Sequence, residues 1–106
     1  MIGGFNENVE HNGNIYHVQT ENLGIDKAVI RTIIYDGGSI IATRQTNYQK
    51  LRDKKTPKEL NDIIDVIIKK QHRLVVEELL IRKIDKKEKK EQDPLADFLS
   101  KWSDSN

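Results

Sequence analysis

The first half of the chain alternates short apolar runs with turn residues, which is typical of β-strands joined by hairpins. Four such runs cover residues 5–9, 15–21, 28–35 and 39–46. Asn12-Gly13 separates the first two runs and Gly37-Gly38 separates the last two. Both pairs tolerate positive φ and suit tight turns. The pattern therefore predicts a four-stranded antiparallel meander.

The third run is apolar on both sides, unlike the other three. Its alternating positions form two sets, Ala28, Ile30 and Ile34 on one side and Val29, Ile33 and Tyr35 on the other. A strand that is apolar on both sides is usually covered on both. A helix is one expected cover, and the other is a second sheet, the tail or another molecule. We take this pattern as a sequence-level indication of a homodimer.

The second half of the chain predicts one long helix that begins at Thr56. Thr56 is a suitable N-cap, Pro57 suits the first helical position and Glu59 completes a capping box. An apolar stripe recurs every seven residues at Leu60, Ile67, Leu74 and Ile81, while Val76 and Leu80 lie elsewhere around the helix. Gln71 and Glu78 interrupt the companion heptad position, which argues against a plain two-stranded coiled coil.

We divide the chain into a sheet-plus-helix domain at residues 1–85 and a charged linker with a short amphipathic tail at residues 86–106. Four tail residues spaced as one helical face could bind a partner: Leu95, Phe98, Leu99 and Trp102. This face either covers its own domain or inserts into a groove of another protein. We favour the second interpretation, because the linker is highly charged.

Composition narrows the possible chemistry. The net charge is +1, with 33% charged and 36% hydrophobic residues, so no overall field favours nucleic acid or an acidic substrate. The chain has no cysteine, which excludes disulfides, thiolate catalysis and zinc-thiolate sites. Its start lacks the pattern of a signal peptide, and no apolar run is long enough to span a bilayer. We expect a cytoplasmic protein.

No group of residues predicts catalysis, a cofactor or a strong metal site. The imidazoles are His11, His17 and His72, and His17 shares a strand face with Gln19 and Glu21. A weak metal site there is conceivable, but a polar outer sheet face is the preferred interpretation. Ser39 is in a hairpin turn, and the remaining serines are in the tail. We therefore do not expect an enzyme.

Nucleic-acid binding is an alternative function. The cationic residues that favour it are Arg31, Arg44, Lys50, Arg52, Lys54, Lys55 and Lys58, and the aromatic residues that could stack are Tyr16, Tyr35 and Tyr48. Aromatic sheets with nearby cations hold single strands in several modules. A dimer of four strands and a helix also resembles the repeats of PUR-type nucleic-acid binders in outline, which is an analogy of fold alone.

The stretch Tyr16-His17-Val18-Gln19-Thr20-Glu21 resembles a family of small uncharacterised bacterial proteins. The features that follow also match that family: an apolar strand at 29–35, Gly37-Gly38, a Thr-to-Tyr strand end at 46–48, and the pair Gln71-His72. The resemblance covers the chain before the tail and implies no catalytic residue. It suggests a further alternative, a bacterial motility or polarity regulator that acts near a small Ras-like GTPase.

The overall prediction is an α+β fold in which a four-stranded meander precedes one long C-terminal helix, forming a homodimer. Residues expected in the core or the dimer contact are Val29, Ile33, Tyr35, Leu74, Leu80 and Ile81. The expected function is that of a non-catalytic interaction or adaptor module, whose tail binds an unidentified protein partner.

Overall fold

The computed structural model of the protein describes residues 4–81 and Leu95. Its elements are β1 (Gly4–His11), β2 (Asn14–Asn22), β3 (Val29–Asp36), β4 (Ser39–Asn47), α1 (Gln49–Lys54) and α2 (Pro57–Leu80). The strands form one antiparallel sheet in the order β1-β2-β3-β4, with the long helix after it. The predicted α+β meander with a following helix is confirmed.

The two hairpin turns have the backbone conformation that their sequences predict. Asn12 and Gly13 have φ values of 53° and 83°, and Gly37 and Gly38 have 59° and 89°. A register shift lies between β3 and β4, where Ile34 pairs with Ala42 but Tyr35 pairs with Ile40. Ile41 is therefore the extra residue of a bulge, and both Ile41 and Ala42 are buried.

The third strand begins one residue later than the sequence predicts, because Ala28 belongs to the preceding turn. Ala28 has a left-handed φ of 55°. Its N–H donates to the carbonyl of Gly24 at 2.9 Å, and its own carbonyl accepts from the N–H of Tyr48 at 2.8 Å. The turn is thus hydrogen-bonded on both sides and brings the start of β3 next to the end of β4.

A short helix that the sequence analysis missed connects the sheet to the long helix. It spans Gln49–Lys54, and the N–H of Gln49 donates to Asn47 Oδ1 at 2.8 Å. Leu51 is its buried residue. One apolar position in six residues is too weak a pattern to reveal a helix by periodicity.

The long helix begins with the predicted capping box. The N–H of Glu59 donates to Thr56 Oγ1 at 3.2 Å, and the N–H of Thr56 donates to Glu59 Oε1 at 3.0 Å. The helix ends at Leu80. No helix within residues 4–81 has the length and apolar content to cross a membrane.

The core lies between the helices and one face of the sheet. One cluster near the helix start comprises Ala28, Ile30, Tyr48, Leu51, Leu60, Ile63, Ile64, Ile67, Ile68 and Leu95, with Phe5 and Leu74 packed against it. A second cluster near the hairpin turns comprises Val9, Tyr16, Val18, Ile34, Ile41, Ala42, Val75 and Leu79. These two clusters attach the long helix along its length.

The structure corrects part of the expected core. Leu74 packs against the first cluster, as expected. Leu80 and Ile81, however, are 42% and 61% exposed, because Leu79 is the residue at the end of the helix that packs on the sheet. They are not core residues of the single chain, and their place in a dimer contact stays a prediction. The predicted domain boundary and the charged linker fall outside the described residues.

Candidate functional site

A row of polar residues crosses the helix-facing side of the sheet. Thr20 on β2 pairs with Thr32 on β3, and Thr32 pairs with Arg44 on β4. All three are at most 1% exposed. Two successive buried residues of α2, Gln71 and His72, meet this row. The middle of the helix–sheet interface is therefore polar, with the two apolar clusters on either side.

Gln71 binds two strands at once. Its Nε2 donates to Thr32 Oγ1 at 2.9 Å and to the carbonyl of Ile30 at 3.2 Å. The carbonyl of Arg44 lies 3.4 Å from the same nitrogen. The side-chain Oε1 of Gln71 is buried and has no hydrogen-bond partner. A buried amide oxygen without a hydrogen-bond partner carries a desolvation cost.

His72 connects the second strand to the first. Its Nδ1 lies 2.8 Å from Thr20 Oγ1, and Thr20 Oγ1 lies 2.7 Å from Thr32 Oγ1. Its Nε2 lies 2.7 Å from Glu7 Oε1 on the edge strand β1. The Phe5 ring packs beside the imidazole, with centroids 5.7 Å apart. The ring is thus held from both nitrogens and from one side.

Arg44 is buried although it is charged. Its Nη2 lies 3.2 Å from Glu78 Oε2 on α2, and its Nη1 donates to the carbonyl of Thr43 at 3.1 Å. The Arg44 side chain is 1% exposed and the Glu78 side chain 25%. A buried guanidinium requires such compensation. Gln71 and Glu78, which interrupt the apolar heptad in the sequence, therefore bind the polar row together with His72.

The order hydroxyl, imidazole, carboxylate in Thr20, His72 and Glu7 is the order found in nucleophilic triads. Here the hydroxyl is inaccessible, because Thr20 is 1% exposed and already bonded to Thr32. A substrate carbonyl has no room beside it. We interpret the arrangement as one that holds the helix on the sheet.

The opposite face of the sheet, which we call the open face, has neither described helix over it. Val29, Ile33 and Tyr35 of β3 lie on this face, as predicted, because their neighbours Ile30 and Ile34 point into the core. Exposed isoleucines extend the apolar surface at the hairpin end: Ile15 is 62% exposed and Ile40 is 56% exposed. Ile33, at the centre of the open face, is 8% exposed.

Polar residues surround this apolar surface. The rings of His17 and Tyr35 have centroids 6.0 Å apart, and His17 Nδ1 lies 3.0 Å from Asn8 Oδ1. His17 and Gln19 share the open face with Glu21, as the alternation predicts. Within residues 4–81 and Leu95, no group of three or more His, Cys, Asp or Glu side chains could hold a metal ion.

The arginines of the nucleic-acid alternative are engaged in contacts within the protein. Arg31 Nη2 lies 2.6 Å from Glu21 Oε1, and Arg44 is buried against Glu78. Arg52 Nη1 donates to the carbonyls of Ile25 and Asp26 at 3.0 and 2.9 Å. Such contacts are structural, so they do not favour a surface for phosphates.

Two of the three tyrosines proposed for base stacking are buried. Tyr16 is 7% exposed and Tyr48 is 1% exposed. The Tyr48 hydroxyl donates to Asn22 Oδ1 at 2.8 Å and approaches the carbonyl of Gly24 at 3.3 Å. Burial raises the pKa of Tyr48 above its usual value, although the Asn22 bond and Arg52 oppose this. Tyr48 is thus a neutral anchor for the turn and not a stacking surface.

Of the four tail residues proposed to bind a partner, Leu95 is the one that the structure describes. Leu95 is 1% exposed and belongs to the first core cluster, beside residues of α1 and α2. It is therefore placed as a core residue of its own chain rather than as part of a free binding face. Phe98, Leu99 and Trp102 lie outside the described residues.

Comparisons of the chain with known protein families, curated proteins and solved structures gave no match. The site is thus defined by its geometry alone. Sequence analysis missed the roles of Glu7, Thr20, Thr32 and Glu78. One available signal was the pair of threonines at core-facing strand positions opposite a Gln-His pair on an otherwise apolar helix stripe.

Proposed function

We propose that the protein is a non-catalytic interaction module that acts as a homodimer through the open face of its sheet. The observation that carries this proposal is a set of apolar side chains on the open face, of which Ile15 and Ile40 are exposed, Val29 and Tyr35 are half-buried and Ile33 is buried. Both described helices pack on the other side of the sheet. Exposed apolar side chains grouped at one end of a sheet face, as Ile15 and Ile40 are here, commonly mark an interaction site.

A second copy of the chain is the partner that the chemistry of this face favours. The face carries both signs of charge, since Arg31 and Glu21 lie on adjacent strands. A two-fold axis can set such a face against itself with opposite charges matched. The chain's net charge of +1 gives little repulsion between copies. A domain of this size also gains stability from pairing, because alone it buries a smaller share of its surface than a large domain does.

The adaptor part of the proposal rests on the tail. Phe98, Leu99 and Trp102 continue the apolar spacing that starts at Leu95. Leu95 itself is packed into the core of the domain. A dimer presents two such segments, and two linked binding segments raise the apparent affinity for a partner with two sites.

Sedimentation velocity over a micromolar concentration range tests the dimer. We expect the wild type to sediment as a dimer and Ile40→Asp to sediment as a monomer, because a carboxylate in an apolar interface is costly. Val66→Asp is the matched control, because Val66 is 44% exposed on α2, away from the open face. A wild type that stays monomeric, or equal effects of the two variants, would contradict the proposal.

A further inference from the structure

Five side chains form one continuous series of hydrogen bonds from the helix to the sheet edge. Gln71 Nε2 contacts Thr32 Oγ1 at 2.9 Å, and Thr32 Oγ1 contacts Thr20 Oγ1 at 2.7 Å. Thr20 Oγ1 contacts His72 Nδ1 at 2.8 Å, and His72 Nε2 contacts Glu7 Oε1 at 2.7 Å. We call this series the hydrogen-bond chain. It spans β1, β2, β3 and α2.

The chemistry at its two ends fixes the direction of donation. When His72 is neutral and Glu7 is ionised, the ring proton is at Nε2 and points to Glu7, because a carboxylate only accepts. Nδ1 of a neutral imidazole is then an acceptor, and the hydroxyl of Thr20 donates to it. Because Thr20 has one hydroxyl proton, it accepts from Thr32. Thr32 in turn accepts from the Gln71 amide, and every bond runs from Gln71 towards Glu7.

A proton on Nδ1 of His72 cannot be accommodated in that arrangement. Nδ1–H would donate to Thr20, and Thr20 would then donate to Thr32. Thr32 would receive two donors and would need an acceptor for its own proton. Within the described residues, the buried side-chain acceptors without a partner are Gln71 Oε1 and Thr46 Oγ1, and Gln71 Oε1 is on the same amide that now donates to Thr32.

We propose that proton uptake by His72 reverses the hydrogen-bond chain and turns the side-chain amide of Gln71. Turning the amide places Oε1 where it accepts from Thr32. It also removes Nε2 from the carbonyls of Ile30 on β3 and Arg44 on β4 and turns Oε1 towards them, so that two attractive contacts become repulsive ones. A proton taken up near the sheet edge thereby changes how the helix is tied to the two far strands.

The hydrogen-bond chain ends at the edge of the sheet. The Glu7 side chain is 49% exposed on edge strand β1, whereas that of His72 is 10% exposed, so Glu7 is the end of the hydrogen-bond chain nearest to solvent. On the polar row, β2 and β3 contribute the uncharged Thr20 and Thr32, and β4 contributes Arg44, paired with Glu78. On α2 itself, the charged residues Lys69 and Arg73 lie close to His72 in sequence, and both are exposed.

Nuclear magnetic resonance tests the proposal in the intact protein. The imidazole nitrogens of His72 and the side-chain amide of Gln71 are followed together while the pH is lowered through the range in which imidazoles usually titrate. We expect Nε2–H to be the neutral tautomer, and the Gln71 amide signals to shift with the same midpoint as the imidazole. Stationary Gln71 signals during His72 titration, or no His72 titration before unfolding, would overturn the proposal.

A pair of variants separates the hydrogen-bond chain from a general response to acid. Thr20→Val has nearly the same shape but can neither donate nor accept a hydrogen bond, so the Gln71 signals should become insensitive to pH while those of His72 still change. Thr20→Ser keeps a hydroxyl, so the coupled shift should persist. A Gln71 response that is the same in Thr20→Val as in the wild type would overturn the proposal.

Discussion

The hydroxyl of Thr20 lies 2.8 Å from Nδ1 of His72, although 52 residues separate the two in the chain. This bond and the adjacent contacts of Gln71 set the position of α2 over the sheet. Apolar packing is non-directional and tolerates sliding, whereas a buried hydrogen bond that is broken costs free energy. The polar row therefore specifies one register between helix and sheet.

Replacement of Gln71 by leucine should lower the free energy of unfolding by about 2 kcal/mol, because Thr32 and two backbone carbonyls lose their donor inside the core. Arg73→Leu is the control, since Arg73 is exposed two residues further along the helix. Chemical denaturation of both variants gives the comparison. Equal stabilities of the two variants would show that the amide contributes nothing.

Removal of the Glu78 carboxylate should destabilise the fold through Arg44. Glu78→Ala weakens the compensation of a guanidinium that is 1% exposed, and we expect a loss of about 2 kcal/mol. Glu77→Ala changes the same residue type at the preceding, exposed position and should have little effect. Thermal melting distinguishes the two, and similar melting temperatures would mean that Arg44 does not depend on Glu78.

The capping box should make stability depend on pH in the acid range. The backbone N–H and hydroxyl of Thr56 lower the pKa of Glu59 below its ordinary value of 4.5. A lowered folded-state pKa gives a stabilising contribution that is present above the ordinary value and is lost as the pH falls through the lowered one. We expect the wild type to exceed Glu59→Gln in melting temperature at neutral pH. The difference should shrink below about pH 4.5, and a constant difference would contradict this.

Because Leu95 is buried in the core, we expect this one residue of the tail to contribute to the stability of the fold. Leu95→Ala should cost about 2–5 kcal/mol, the usual loss for a leucine removed from a core. Leu99→Ala should leave stability unchanged if the later tail residues bind a partner. Trp102 fluorescence gives a second readout, with water-like emission expected in the isolated protein. Blue emission and an equal loss for Leu99→Ala would place the whole tail face in the fold.

The parts of the fold that sequence analysis predicted are those governed by local chemistry. The hairpin turns need positive φ, which Gly37 and Gly38 supply, and the capping box at Thr56 is complete within four residues. The two-sided apolar pattern of β3 likewise depends only on alternation along one strand.

The candidate site could not be predicted in the same way, because its partners are distant in sequence. Gln71 contacts Ile30 across 41 residues and Arg44 across 27. Before the register is known, a glutamine in an apolar stripe only weakens a coiled-coil pattern. The positive φ of Ala28 could not be predicted either. Alanine seldom adopts a positive φ, and hydrogen bonds to other parts of the chain hold Ala28 in this conformation.

Face-to-face packing of two sheets is the central claim, and an isotope-filtered NOE experiment tests it most directly. Equal amounts of carbon-13-labelled and unlabelled protein are mixed at a concentration where the dimer forms. We predict intermolecular NOEs that involve Ile15, Tyr35 and Ile40, and none that involve Val66. Intermolecular NOEs confined to Leu80 and Ile81, or no intermolecular NOEs at any concentration, would contradict the claim.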